Sequence, residues 1–285
     1  MILLNDWTLK YNKVMEKERL GEQIDVINTF DAVSCCEQLH GFSWQMEMFN
    51  EGYINHETGI YKNYEFPFII TLDVFYFKEL KYYHKFHFTH SFIILGYNAK
   101  TKKYNCLDPY FDYAQYEVTY EEVFKGVTQC GRITLFKRYK EEKKDFIEMI
   151  SKDTKLINEN YVNVKRFAYD ISNKMNIDNE FHGYKNDLYA VPLTRKLHKI
   201  AMYRKAYAIA LNYVCNLYNL TYLQDASNLM MQSVYLWTIV SGKVLKAYFS
   251  DTRRDEIEIA GKIVEQIADI EKNVVETVLK SIEAE

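Results

Sequence analysis

The continuous stretch HSFIILGY, NAKTK, KYNCLD (residues 90–108) decides how the first half of the chain is read. Residues 90–97 are β-branched and aromatic, residues 98–102 are polar turn material, and residues 103–108 return to an extended pattern. That order predicts an antiparallel hairpin. Upstream, PFIITLDVFYFK (residues 67–78) has the composition of a buried strand, and downstream GRITLFKRY (residues 131–139) supplies another. Val118, Tyr120 and Val123 suit a short connection or helix between them. Together these runs predict a small antiparallel sheet.

In front of the sheet, Leu39, Phe42, Met46 and Phe49 recur at three- and four-residue steps, which predicts a helix over about residues 35–50. Ser34 and Glu37 have capping-box spacing, so the helix would begin at Cys35 or Cys36 and hold both thiols near its positive end. Beyond residue 139 the charge run YKEEKKD marks a boundary, and strand character disappears. Segments 144–158, 161–176, 193–218, 222–248 and 254–283 carry helical periodicity, the last through a stripe that includes Ile263, Ile267, Ile270, Val274 and Val278. Pro192 fits the first turn of the third of these helices, and Asn219 and residues 250–252 fit the later breaks. The expected fold class is therefore α+β: a helix packed on an antiparallel sheet in residues 1–138, followed by an all-helical bundle in residues 139–285.

The 285 residues are long enough for two domains, and 48% apolar residues with only 3 Pro and 10 Gly favour a packed chain over a disordered one. A net charge of −3 leaves no chain-wide cationic field for nucleic acid. No basic, then apolar, leader opens the sequence and no run approaches the roughly 18 apolar residues of a membrane span, so a cytoplasmic location is expected. The cysteines, Cys35, Cys36, Cys106, Cys130 and Cys215, are odd in number and lack zinc-site spacing, which predicts reduced thiols and no structural metal. Gly96 and Gly131 lack phosphate-loop spacing, so no nucleotide cofactor is expected. His84, His87 and His90 are three residues apart, but a metal would also need carboxylate or Cys partners. The 25 Tyr and 17 Phe fit either a compositional bias or an aromatic ligand pocket.

The pair with chemical content is His90 and Asp108. Their midpoint, residue 99, falls in the polar turn, which places them nearly opposite each other on neighbouring strands, with side chains about 5 Å apart. A carboxylate there would fix the imidazole tautomer and stabilise the imidazolium, as a general base requires. The nucleophile would be Cys36, with Cys35 as the alternative, because a helix N-terminus and an imidazolium both depress a thiol pKa.

The string from His90 through Gly96 and Tyr97 to Cys-Leu-Asp108-Pro109-Tyr110 resembles the His and Asp region of papain-like peptidase folds of the bacteriocin-processing type. More closely, with PFIITLDVFYFK and residues 28–53, it resembles the family named after the N-terminal domain of the butirosin biosynthesis acyltransferase, to which the amide-forming enzyme of closthioamide biosynthesis is related. The resemblance covers roughly residues 23–135 and implies a papain-like cysteine-protease-type domain with a helical domain behind it. It also implies an activity in antibiotic biosynthesis: an acyl group moves from a carrier-protein phosphopantetheine thioester to an enzyme Cys and then to a small amine, without a cofactor or metal. One alignment sets Cys36-Glu37 on the family's Cys-Glu, with Asn28 assisting backbone N–H groups in the oxyanion site. Another sets Asn28-Thr29-Phe30-Asp31-Ala32-Val33 on an Asn-Cys-Phe-Asp-Ala-Val type of sequence and puts Thr29 where the nucleophile belongs. The alternatives are a peptidase or amidase with the same triad, and a degenerate member that serves as a binding module. Lys78, Lys81 and Lys85, or Lys100, Lys102 and Lys103, would receive an acidic carrier protein.

Overall fold

The structure, a computed structural model, describes residues 9–11, 19–26, 37, 41–50, 65–80, 82–108, 114–136, 143–157, 160–185 and 187–283. In chain order the elements of the first half are β1 (Leu9–Tyr11), α1 (Leu20–Gln23), β2 (Ile24–Val26), β3 (Phe42–Met48), β4 (Phe68–Asp73), β5 (Thr89–Asn98), β6 (Lys103–Asp108), β7 (Ala114–Thr119), α2 (Tyr120–Gly126) and β8 (Val127–Leu135). The second half holds α3 (Lys143–Ile157), α4 (Asn160–Lys174), α5 (Ile177–Phe181), α6 (Pro192–Tyr218), α7 (Thr221–Phe249) and α8 (Arg253–Glu283). The chain divides into two compact units, Cys36–Tyr139 and a discontinuous one made of Met1–Cys35 with Lys140–Glu285. The later division falls where the charge run suggested. The expectation of a first domain reaching back to residue 1 is corrected, because β1 and β2 pair with each other and are packed by the helices.

Six strands in the order β3-β8-β4-β5-β6-β7, every neighbouring pair antiparallel, make the sheet of the Cys36–Tyr139 unit. The predicted hairpin is β5 and β6. Its turn is held by Asn98 Oδ1, which accepts from the Lys100 and Thr101 N–H groups at 3.0 and 3.3 Å. One sheet face buries Phe68, Ile70, Leu72, Phe92, Ile94, Cys106, Val118 and Cys130, with Phe77, Leu80 and Val123 packed into the same core. These residues alternate along their strands, so the two-residue period of a pleat sorts the sequence into faces.

Two parts of the sheet differ from the sequence expectation. Residues 42–48, expected in a helix, form edge strand β3. Gly41 takes a positive φ of 65° immediately before it, a conformation that ends a helix and that glycine adopts without steric cost. Phe42, Trp44, Met46 and Met48 then alternate, and Met46 lies opposite Gly131. A Cβ on Gly131 would come within 2.4 Å of Met46 Sδ and 3.2 Å of Ile69 Cβ, so the bare backbone there admits the edge strand's side chains. The four-residue step from Phe42 to Met46 fits strand alternation as well as a helix, and that ambiguity produced the helix expectation. The strand expected over 67–78 stops at Asp73, whose Oδ1 accepts from the Phe75 N–H at 3.0 Å and caps a 3-10 turn over Val74–Tyr76. After β7, Thr119 and Glu122 form a reciprocal capping box that starts α2.

In the discontinuous unit the five predicted helical segments are α3, α4, α6, α7 and α8, each within two residues of its expected ends. Pro192 occupies the first turn of α6, and Asn219 closes that helix in the left-handed region at φ 56°, ψ 45°. Arg204 of α6 reaches Glu271 of α8 through two bonds, Nε to Oε1 at 2.7 Å and Nη2 to Oε2 at 3.0 Å, both side chains being buried. Ser233 Oγ and Trp237 Nε1 of α7 also donate to Glu271 Oε1, at 2.7 and 3.0 Å. One carboxylate therefore ties three helices together. The N-terminal strands are fixed by buried polar groups of the same unit: Leu9 N–H donates to Asn160 Oδ1 at 2.8 Å, and Tyr11 Oη donates to Asp170 Oδ2 at 2.8 Å. Glu180 accepts from the Leu20 and Gly21 N–H groups that open α1. Among the described residues no helix is long and apolar enough to cross a membrane.

Removing one member of a buried ion pair leaves the other uncompensated, so Glu271→Ala is expected to destabilise the protein by about 3–5 kcal/mol, measured by chemical denaturation. Burial is the largest influence on the Glu180 carboxyl and pushes it up to about 7, against the Leu20 and Gly21 N–H groups that pull it down. A folded-state pKa above the ordinary carboxylate value gives stability that is fully present at low pH and is lost as pH rises through about 7. The difference in melting temperature between wild type and Glu180→Gln is expected to move against the wild type from pH 5 to pH 7.5.

Candidate functional site

Strand β5 presents His90 and Phe92 on the core face, and Asp108 ends β6 on that face. Their register is set by a β-bulge: Tyr97 pairs with Tyr104 and Gly96 with Asn105, but Ile94 pairs with Cys106 and Ile93 with Leu107. One step further, Asp108 falls level with Phe92. His90 and Asp108 are therefore diagonal neighbours rather than opposite ones, which corrects the expected register. Diagonal positions in a sheet are about 7–8 Å apart, a gap that an imidazole spans. His90 Nε2 lies 2.9 Å from Asp108 Oδ2.

The side chain of Asp108 is fully buried and that of His90 is 14% exposed. Phe92 meets the imidazole edge-on, with ring centroids 4.7 Å apart and planes at 82°. Tyr116 of β7 flanks the pair electrostatically: burial first, then the negative charge of Asp108, raises its phenol above the ordinary tyrosine value. A carboxylate accepts from Nε2–H, which fixes the proton on that nitrogen and the ring's lone pair on Nδ1. The arrangement is an imidazole held by a buried carboxylate, the geometry that an oriented base requires. Phe92 and Tyr116 were not singled out from the sequence; the two-residue alternation His90–Phe92 was the available signal for the first of them.

Cys35, Cys36, Asn28 and Thr29, the expected nucleophile, its alternatives and the oxyanion residue, lie outside the described residues, as do Pro109 and Tyr110. The remaining thiols narrow the choice. Burial pushes Cys106 and Cys130 up to about 12 each, which leaves almost no thiolate at neutral pH. Cys215 is buried in α6, in the other unit.

The three-residue histidine series does not converge. His87 Nδ1 lies 2.7 Å from Asp73 Oδ2 and its ring stacks on Phe75 at 4.0 Å, while His84 stacks between Tyr83 and Phe75 at 4.0 and 4.9 Å. Among the described residues no group of three His, Cys, Asp or Glu side chains is arranged to hold a metal ion. Of the lysines considered for carrier docking, Lys78 is 3.6 Å from Glu122 and Lys103 is 3.1 Å from Glu117, so part of their charge is met within the unit, and Lys81 lies outside the described residues.

Neither the known protein-family models nor the curated proteins include a match to this chain. In the native protein at pH 8, brief iodoacetamide treatment is expected to leave Cys106 and Cys130 unmodified, and urea is expected to expose both, as peptide mapping would show.

Proposed function

We propose that the chain is an amide-forming acyltransferase of papain-like fold, with Cys36 as nucleophile, His90 as general base and Asp108 as the group that orients it. The observation that carries this reading is the 2.9 Å contact between His90 Nε2 and a fully buried Asp108. Burying a carboxylate is costly unless it is hydrogen-bonded, and a carboxylate so placed on an imidazole is what a base needs in order to accept and return a proton. Burial of Cys106 and Cys130, which raises both thiols to about 12, favours Cys36, with Cys35 next, because a thiol mechanism needs a thiol of ordinary or lowered pKa.

In this mechanism His90 Nδ1 takes the proton of the Cys36 thiol, and the thiolate attacks the carbonyl carbon of a carrier-protein thioester. The tetrahedral oxyanion is met by backbone N–H groups. The carbon–sulfur bond to the carrier breaks, its thiolate receives the proton from the imidazolium, and an acyl-cysteine remains. A small amine then attacks that carbonyl and gives its proton to Nδ1. Cys36 leaves as thiolate and is reprotonated as the amide departs. Asp108 orients the ring and stabilises the imidazolium. Every atom transferred comes from the two substrates, so the reaction needs no cofactor. A cytoplasmic setting, an acyl carrier protein and natural-product assembly complete the reading, with the helical unit as the C-terminal bundle of such an enzyme.

Intact-mass analysis after brief iodoacetamide treatment at mildly acidic pH tests it. One fast label is expected in wild type and in Cys35→Ala, none in Cys36→Ala, with labelling slowed in His90→Ala. Amide formation from a carrier-protein thioester should fall by about 100-fold or more in His90→Ala and Asp108→Asn. Slow labelling indifferent to His90 would remove the cysteine mechanism, and peptide cleavage without any carrier would favour hydrolysis over acyl transfer.

A further inference from the structure

We propose that Tyr82, Phe86 and Phe88 form the wall along which the acyl chain of the substrate lies, so that the enzyme prefers a bulky apolar acyl group to acetyl; this rests on the acyl-transfer reading above. The β4–β5 ladder pairs Leu72 with His90 and Asp73 with Thr89, and it continues one residue further, where the Val74 N–H donates to the Phe88 carbonyl at 3.0 Å. The two-residue alternation therefore runs unbroken through Phe88, His90 and Phe92, and the three side chains share the face that holds Asp108. Along that row the environment changes at the histidine. Phe92 is fully buried with Phe77 stacked on it at 4.8 Å, whereas Phe88 is 42% exposed and Phe86 39% exposed.

The exposed rings are nonetheless built into place. Tyr82 meets Phe88 edge-on at 4.9 Å and Phe86 at 6.4 Å. The Tyr82 carbonyl accepts from the Lys85 and Phe86 N–H groups at 2.9 and 3.3 Å, and His87 is held between Asp73 and the Phe75 ring. Aromatic rings held in position yet left open to solvent have unused capacity to bury an apolar ligand. Phe88 stands two residues from His90, about 7 Å along the strand, which is within reach of a longer acyl chain whose carbonyl sits beside the base and out of reach of acetyl. Each methylene laid on such a surface is worth about a fourfold gain in rate constant.

The test uses the hexanoyl and acetyl thioesters of N-acetylcysteamine as donors, with full-length protein, and follows acyl-enzyme formation by intact mass; N-acetylcysteamine thiol is the leaving group. Wild type is expected to react with the hexanoyl donor about tenfold or more faster than with the acetyl donor in kcat/KM. Phe88→Ala should lose most of that preference, kcat/KM for the hexanoyl donor falling far more than that for the acetyl donor, and Phe88→Leu should restore much of it. Phe86→Ala, at a more peripheral ring, should lower the preference with an unchanged melting temperature. Acylation by both donors without a chain-length preference, or an equal loss for both donors in Phe88→Ala, would overturn the wall and leave the acyl-transfer reading standing. No acylation of wild type by either donor would overturn both.

Discussion

A carboxylate cut off from solvent needs a donor, and the site proposed for the Cys36–Tyr139 unit turns on how Asp108 meets that need. Asp108 ends β6 inside a core of phenylalanine, isoleucine and leucine, fully buried, and His90 supplies a ring nitrogen at 2.9 Å. The bulge between Ile94 and Gly96 shifts the strands by one residue, so the two side chains meet across a diagonal. Moving the register by another residue would turn one of them to the opposite face of the sheet. The position of the bulge thus decides where the two side chains meet.

The helical unit answers the same constraint in another way. Glu271 is buried among three helices and is met by a guanidinium, a hydroxyl and an indole, so its charge is shared among four hydrogen bonds. Among the partners of Asp108 is a titratable ring that remains partly open. The difference separates a charge that fastens a structure from one that can lend its field to a proton transfer. Cys106 and Cys130 carry no charge at neutral pH, because apolar burial that raises a thiol to about 12 makes it packing material.

The sequence was most legible where one period dominates. The long helices are amphipathic or sharply punctuated, by Pro192 at the start of α6 and by a left-handed Asn219 at its end, and their bounds were readable within two residues. The β5–β6 hairpin was legible because apolar runs flank an unambiguous polar turn, and that was enough to put His90 and Asp108 on adjoining strands. Local pattern did not disclose the bulge, since nothing in the string Ile94-Leu95-Gly96 states which residue goes unpaired. It also misread residues 42–48, where seven positions cannot separate a period of two from one of 3.6, and where the decision is taken by Gly131 on a strand more than 80 residues away. The assignment of β1 and β2 to the helices was invisible for a related reason: their partners, Asn160 and Asp170, are distant in sequence.

That remote partnership has a consequence for the order of events during synthesis. The Leu9 amide finds its acceptor on Asn160, 151 residues later, and a ribosome adding about 5–20 residues per second needs roughly 8–30 s to cover that distance. The whole of residues 36–139 emerges within the interval, and its sheet is assembled from segments that are all available by then. The N-terminal strands must meanwhile wait unpaired with their helices while another unit folds between them and their eventual seat. Vectorial emergence therefore favours completion of the sheet first, and the discontinuous unit closes only as the last helices leave the ribosome.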